Sequence, residues 1–244
     1  MNAFQIFISD NDDSLTPLIS NISNIFKDSL PAHSYKLYTN KLIIDFLTNY
    51  FESNVLDAYK KLRPNAYKSD LARYCIAYIF GGWYSDLTIK IQKKVNFESE
   101  DINFIGFIDR GEGFSPNTLP YGIQSSLFYT RKTNPIFKTA IDLILHNCKT
   151  ENYGVSPTCP TGPAVLGRAF AIHGMTSKDI LGQFIPLTPS HKNKNRSYIL
   201  PDGTVFALHK DAWCQSSMPA DISNFGLKGT NNYLEMYKEK DIYN

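Results

Sequence analysis

The sequence predicts an α/β protein, a mostly parallel sheet flanked by helices in a single domain, and three observations predict it. Strand-like and helix-like segments alternate from the first residues. Such alternation feeds helices onto both faces of a sheet and leaves a binding crevice at the carboxyl ends of the strands. The chain has 244 residues, enough to bury a core with no disulfide or metal staple. Its composition, 43% hydrophobic and 20% charged, is that of a compact globular protein.

The elements follow in order. Gln5–Ser9 reads as a first buried strand, and residues 10–16 as an acidic loop. The apolar run at Phe4–Ile8 is too short and too closely followed by Asp10, Asp12 and Asp13 to be a signal-peptide core. A helix over Pro17–Phe26, a strand over Ser34–Tyr38 and a helix over Lys41–Phe51 complete a β-α-β-α start. Leu71, Tyr74, Cys75, Tyr78 and Ile79 recur at helical spacing, which predicts a helix over Asn65–Phe80 ended by Gly81-Gly82. Trp83 to Ile91 alternates with the period of one strand, so Asp86 and Thr88 are expected on a single face. Of Trp83 and Tyr84, one should pack in the core and the other face the cleft. Further on come strands at Asn103–Ile108, Ser125–Tyr129 and Thr204–Leu208, helices at Pro135–Cys148 and Asn232–Lys240, and an ordered loop over Ser156–Gly167 that enters a helix.

Composition also excludes several functions. Lys plus Arg number 25 against 23 Asp plus Glu, and a net charge of +2 is too balanced for a dedicated nucleic-acid binder. The four cysteines are widely spaced and match no zinc pattern, so a reducing, cytoplasmic setting is expected. No run of about 18 apolar residues predicts a transmembrane helix. The chain has no GxSxG elbow, P-loop or GxGxxG, which leaves hydrolase, nucleotidase and dinucleotide-oxidoreductase readings without an anchor.

The most informative stretch is Ser69-Asp70-Leu71-Ala72-Arg73-Tyr74, followed at helical length by Gly81-Gly82-Trp83-Tyr84-Ser85-Asp86. Asp70 and Arg73 stand three apart near a helix start and share a face. A Gly-Gly turn then delivers a second carboxylate from a strand. Read alone, Asp70 and Arg73 would be an ordinary i, i+3 ion pair; the arrival of Asp86 gives the group a chemical purpose.

Here the chain resembles the glycosyltransferases with a DXD sugar-binding region, a group that includes fungal α-mannosyltransferases, bacterial capsule and lipopolysaccharide transferases and glucosylating toxins. Their signature, SDxxRY and then GGxYxDxD, is matched by Ser69, Asp70, Arg73, Tyr74, Gly81, Gly82, Tyr84 and Asp86. Gln5-Ile6-Phe7-Ile8 is similar to the family's opening strand, Thr161-Gly162-Pro163 to its TGP element, and His209 with Trp213 to its closing element. Two positions depart. Phe4 replaces the opening His, and Thr88 replaces the second Asp of DXD.

The resemblance implies a GT-A-like domain, with residues 1–95 forming the nucleotide-sugar half and 96–244 the acceptor-binding, site-closing half. It implies Asp86, Asp70 and Arg73 as catalytic residues, and donor contacts from Gln5, Ile6, Ser69, Tyr84, Gly162 and Trp213 besides. Loss of Asp70 or Arg73 is expected to remove turnover without a matching loss of stability. It implies a divalent cation, Mn²⁺ or Mg²⁺, on Asp86 and His209, with Thr88 a weak or indirect ligand because a neutral hydroxyl binds such ions poorly. The implied reaction is transfer, with retention, of a sugar from a nucleotide-sugar donor, UDP-sugar favoured, to a glycan acceptor in bacterial surface polysaccharide synthesis. A lipid-linked acceptor would bring weak peripheral contact with the inner face of the membrane through Lys192, Lys194 and Arg196. A toxin-like protein glycosyltransferase and a non-catalytic nucleotide-sugar-binding protein are the alternatives.

Overall fold

The computed structural model describes residues 2–9, 17–30, 34–92, 102–109, 122–186, 196–209 and 232–244. Its first half runs β1 (Asn2–Ile6), α1 (Pro17–Ser29), β2 (Ser34–Tyr38), α2 (Asn40–Tyr50), α3 (Ser53–Lys61), α4 (Asn65–Phe80), β3 (Gly82–Ser85) and β4 (Lys90–Ile91). The second runs β5 (Phe104–Asp109), β6 (Gly122–Ile123), β7 (Leu127–Thr130), α5 (Pro135–Thr150), α6 (Pro163–His173), β8 (Asp179–Pro186), β9 (Arg196–Ile199), β10 (Val205–Leu208) and α7 (Tyr233–Lys238). Among the described residues the strands join in one sheet ordered β2-β1-β3-β7-β5-β8-β9-β10-β4, with β6 beside β5.

The α/β class is as expected, but the sheet is mixed rather than mostly parallel. β1–β2, β1–β3 and β5–β8 are parallel. These are the pairs separated in sequence by helices, which can carry the chain back across the sheet. β8–β9, β9–β10, β3–β7 and β5–β7 pair antiparallel. Side chains alternate across the sheet into two cores. Phe4, Tyr84, Phe104 and Phe128 face the side covered by α2–α6, whereas Ala3, Trp83, Ile105 and Phe107 face the other.

Two elements correct the sequence reading near the motif. Trp83 to Ile91 is not one strand: β3 ends at Ser85, and the Ile89 N–H closes a turn on the Asp86 carbonyl at 3.2 Å. β4 then leaves to pair with β10 at the far end of the strand order. Asp86 therefore sits at a strand end and Thr88 in the turn after it, so no strand face joins them. Trp83 and Tyr84 do alternate, yet both are 1% exposed, because a helix layer covers one face and the aromatic ring of Phe206 stacks near the other. α3 and β8 are elements the sequence reading did not contain.

α4 is buried along most of its length, from Asn65 to Ala77, which explains why its apolar spacing was legible and why Asp70 and Arg73 cannot face bulk water. It ends where Gly81 takes φ 63° and Gly82 takes φ 105°. A Cβ on Gly82 would collide with the Asn2 carbonyl oxygen, so the chain can reverse from helix to strand here only without side chains.

Candidate active site

The site begins on α4. Asp70 and Arg73 are 7% and 5% exposed, and burial of a charge is tolerated only with partners. Arg73 has them on several sides. Its Nη1 lies 3.1 Å from Asp86 Oδ1 and donates to the Ser125 carbonyl at 2.8 Å, while its Nε is 3.6 Å from Asp70 Oδ1. Its guanidinium carbon sits 4.5 Å from the centre of the Tyr84 ring. Asp70 Oδ2 accepts from the Thr161 hydroxyl at 2.8 Å. Asp86 receives the Tyr84 hydroxyl on Oδ1 at 2.6 Å and keeps 37% of its side chain exposed. One guanidinium thus bridges two carboxylates, and the bridge opens to solvent at Asp86.

Burial raises the Asp70 carboxyl above its ordinary range, against the pull of Arg73 and Thr161. For Arg73, burial works to lower the pKa, but Asp86, Tyr84 and Asp70 outweigh it and the guanidinium is held firmly protonated. Burial also pushes the Tyr84 hydroxyl well up, so it stays a donor to Asp86. The arrangement offers fixed positive charge, one open carboxylate and a buried one, the equipment to hold sugar hydroxyls and meet developing phosphate charge.

The other expected residues fall into three groups. Gly162 caps α6 beside Asp70, where a Cβ would lie 3.4 Å from Asp70 Oδ2. Gln5 is fully buried; its Nε2 reaches the Asp86 carbonyl at 3.5 Å and its Oε1 accepts from Tyr35 at 3.0 Å, so it braces the strand end from below. Ser69 contributes its carbonyl to Arg73 Nε at 3.1 Å. Ile6 stands apart: its side chain belongs to the core. Trp213, Lys192 and Lys194 lie outside the described residues. Ser125 and Thr161 complete the charge cluster. Thr161 was legible within Thr161-Gly162-Pro163, whereas Ser125, whose carbonyl serves Arg73 and whose side chain hydrogen-bonds Asp70, leaves no sequence signal.

His209 follows β10, donates its N–H to the Arg196 carbonyl at 3.0 Å and sets its ring 5.4 Å from that of Phe184. Leu208 is opposite Lys90, so the chain at His209 runs beside the 86–89 turn. The donor set nevertheless fits a resident divalent cation poorly. Asp86 Oδ1 is already shared by Tyr84 and Arg73, Thr88 is neutral, and among the described residues no three His, Cys, Asp or Glu side chains converge. Arg196 places its guanidinium 5.2 Å from the centre of the Phe184 ring. Among the described residues no helix is long and apolar enough to cross a membrane.

Comparison with known proteins places this cluster in context. Residues 3–104 match the family described as glycosyltransferase sugar-binding region containing DXD motif, a span that holds Asp70, Arg73 and Asp86. An uncharacterized glycosyltransferase of Acanthamoeba polyphaga mimivirus is 38% identical over 60 residues, which are 25% of this chain and 24% of that protein. The match thus spans about a quarter of the relative. Among solved structures, PaToxG glycosyltransferase superposes with a TM-score of 0.50 over 70% of this chain and 68% of its own, at 15% identity, a likeness of fold.

Proposed function

We propose that this chain, which carries the sugar-binding region of DXD-type glycosyltransferases in residues 3–104, moves a sugar from a nucleoside-diphosphate sugar to a glycan hydroxyl with retention of configuration. The observation that carries the reading is the Arg73 guanidinium set between Asp70 and Asp86, with Asp86 open to solvent. Asp86 steadies the buried guanidinium and, with 37% of its side chain exposed, is also able to accept from a ligand. Asp70 and Asp86 accept hydrogen bonds from donor hydroxyls, Arg73 fixes both carboxylates and presents positive charge toward the leaving group, and Tyr84 holds Asp86 in place. In the reaction the anomeric C–O bond to the diphosphate breaks and the acceptor oxygen bonds to the same carbon on the same face. The acceptor proton passes to the leaving phosphate oxygen, and a nucleoside diphosphate departs. No protein nucleophile is required.

A UDP-sugar donor, and a surface-glycan acceptor that is lipid-linked, are the finer readings and rest on the resemblance. Incubation with UDP-glucose, UDP-galactose, UDP-N-acetylglucosamine and GDP-mannose, each with and without Mn²⁺, tests the proposal. Slow release of nucleoside diphosphate from one donor, accelerated by glycoside acceptors, is expected. Tight nucleotide-sugar binding without release would instead identify a binding protein.

A further inference from the structure

A second carboxylate stands at the same edge of the sheet. Asp109 ends β5, Asp86 follows β3, and the start of β7 lies between them. Ser85 is opposite Leu127, the Asp86 N–H donates to the Ser126 carbonyl at 2.8 Å, and Asp109 is opposite Gly122. Two strand spacings therefore separate Asp86 from Asp109, roughly 10 Å. The two carboxylates thus stand on either side of the start of β7, at one edge of the sheet.

Side chains tie the two strand ends together. Gln124 Nε2 donates to Asp109 Oδ2 at 2.6 Å, the Ser126 hydroxyl donates to Gln124 Oε1 at 2.8 Å, and Ser126 Oγ lies 2.8 Å from the buried Tyr198 hydroxyl. Strand pairing does not need this chain of bonds, because the Gln124 N–H already donates to the Phe107 carbonyl at 2.9 Å. What the chain does is orient a carboxylate that remains partly exposed at this edge of the sheet. Burial raises the Asp109 carboxyl, opposed by Arg196 and Gln124, so the group is held in place at some energetic cost. Asp70, Arg73 and Gly162, which the proposed function gives to the donor, lie with α4 and α6 on the helical side. Asp109 lies across β7 toward β8 and β9.

We propose that Asp109, oriented by Gln124, binds the acceptor sugar by accepting a hydrogen bond from one of its hydroxyls and so helps to select which acceptor is used. The proposal rests on the glycosyltransferase reading above. Asp109→Asn is close in shape but carries no charge, and Asp109→Ser serves as a second variant should the amide disturb Gln124. The probes are whichever of the four donors above is turned over and a panel of methyl glycosides of glucose, galactose, mannose and N-acetylglucosamine. For both variants the acceptor KM should rise at least tenfold, while the donor KM moves less than threefold and the melting temperature stays close to that of the parent. Equal losses on donor and acceptor, or an unchanged acceptor KM, would overturn the assignment. Donor hydrolysis by the parent with no glycoside accepted would overturn it too, while leaving the donor half of the proposed function standing. No release from any donor by the parent would remove the glycosyltransferase reading itself.

Discussion

Arg73 and Asp86 differ in how far water reaches them, with side chains 7% and 37% exposed, and that difference separates two variants. Asp86→Asn keeps an oxygen to accept from Tyr84 and loses only the charge. Turnover should fall about 100-fold or more, the usual scale for a charged contact to a reacting group, while the melting temperature should move by no more than about 4 °C. Arg73→Ala leaves Asp70 buried without its countercharge. Breaking such a pair costs about 3–5 kcal/mol, so calorimetry should show a melting temperature lower by about 10 °C in addition to lost turnover. The sequence alone led to the opposite expectation, stability largely unaffected, because i, i+3 spacing says nothing about how deeply a helix is buried. Asp70, Arg73, Tyr84 and Asp86 were legible from their spacing. Asp109, Gln124, Ser126 and Tyr198 were not, since three segments that meet only through strand pairing supply them.

At the scale of elements, α4 and β3 act as one unit hinged on Gly81-Gly82. Gly82→Ala would force a left-handed φ on a side chain and drive its Cβ into the Asn2 backbone. Strain of about 1–3 kcal/mol from the dihedral alone is expected, with separation of β1 from β3 adding to it. Thermal unfolding should show the loss, and Arg73 and Asp86 should misalign with it, so that activity falls even well below the melting temperature. Full stability in this variant would mean that the turn can be rebuilt. The sequence reading found this hinge because two adjacent glycines after a periodic helix have few other uses. It missed α3, which follows α2 after Phe51 and Glu52, and the end of β3 at Ser85, where the alternating pattern continues through a turn. Alternation reports which side chains are buried, and Leu87 and Ile89 are buried without belonging to a strand.

At the scale of the molecule, strand order brings together segments distant in sequence, such as β3 with β7 and β4 with β10, and no local pattern encodes those partners. The chain end shows the same principle. Tyr243 bridges to Leu62, the Arg63 N–H donates to the Ile242 carbonyl at 3.0 Å, Arg63 pairs with Asp241, and Ile242 is fully buried in the helical core. Ile242→Ala should cost about 2–5 kcal/mol, the range for a buried large-to-small change. Denaturant titration is the measurement, and the midpoint should drop with little change in slope, since the folded and unfolded surfaces differ by nearly the same area.

Trp83 is packed between Tyr129 and Phe206, with ring centres 5.5 and 5.2 Å away. It is one of two tryptophans, the other being Trp213. Light emitted by an indole so enclosed comes from an apolar, rigid setting, so its spectrum should lie to the blue and resist quenching by iodide in the solvent. Trp83→Phe would remove that constant background. The remaining emission would belong to Trp213 alone, giving an optical handle on that residue as nucleotide sugars are added.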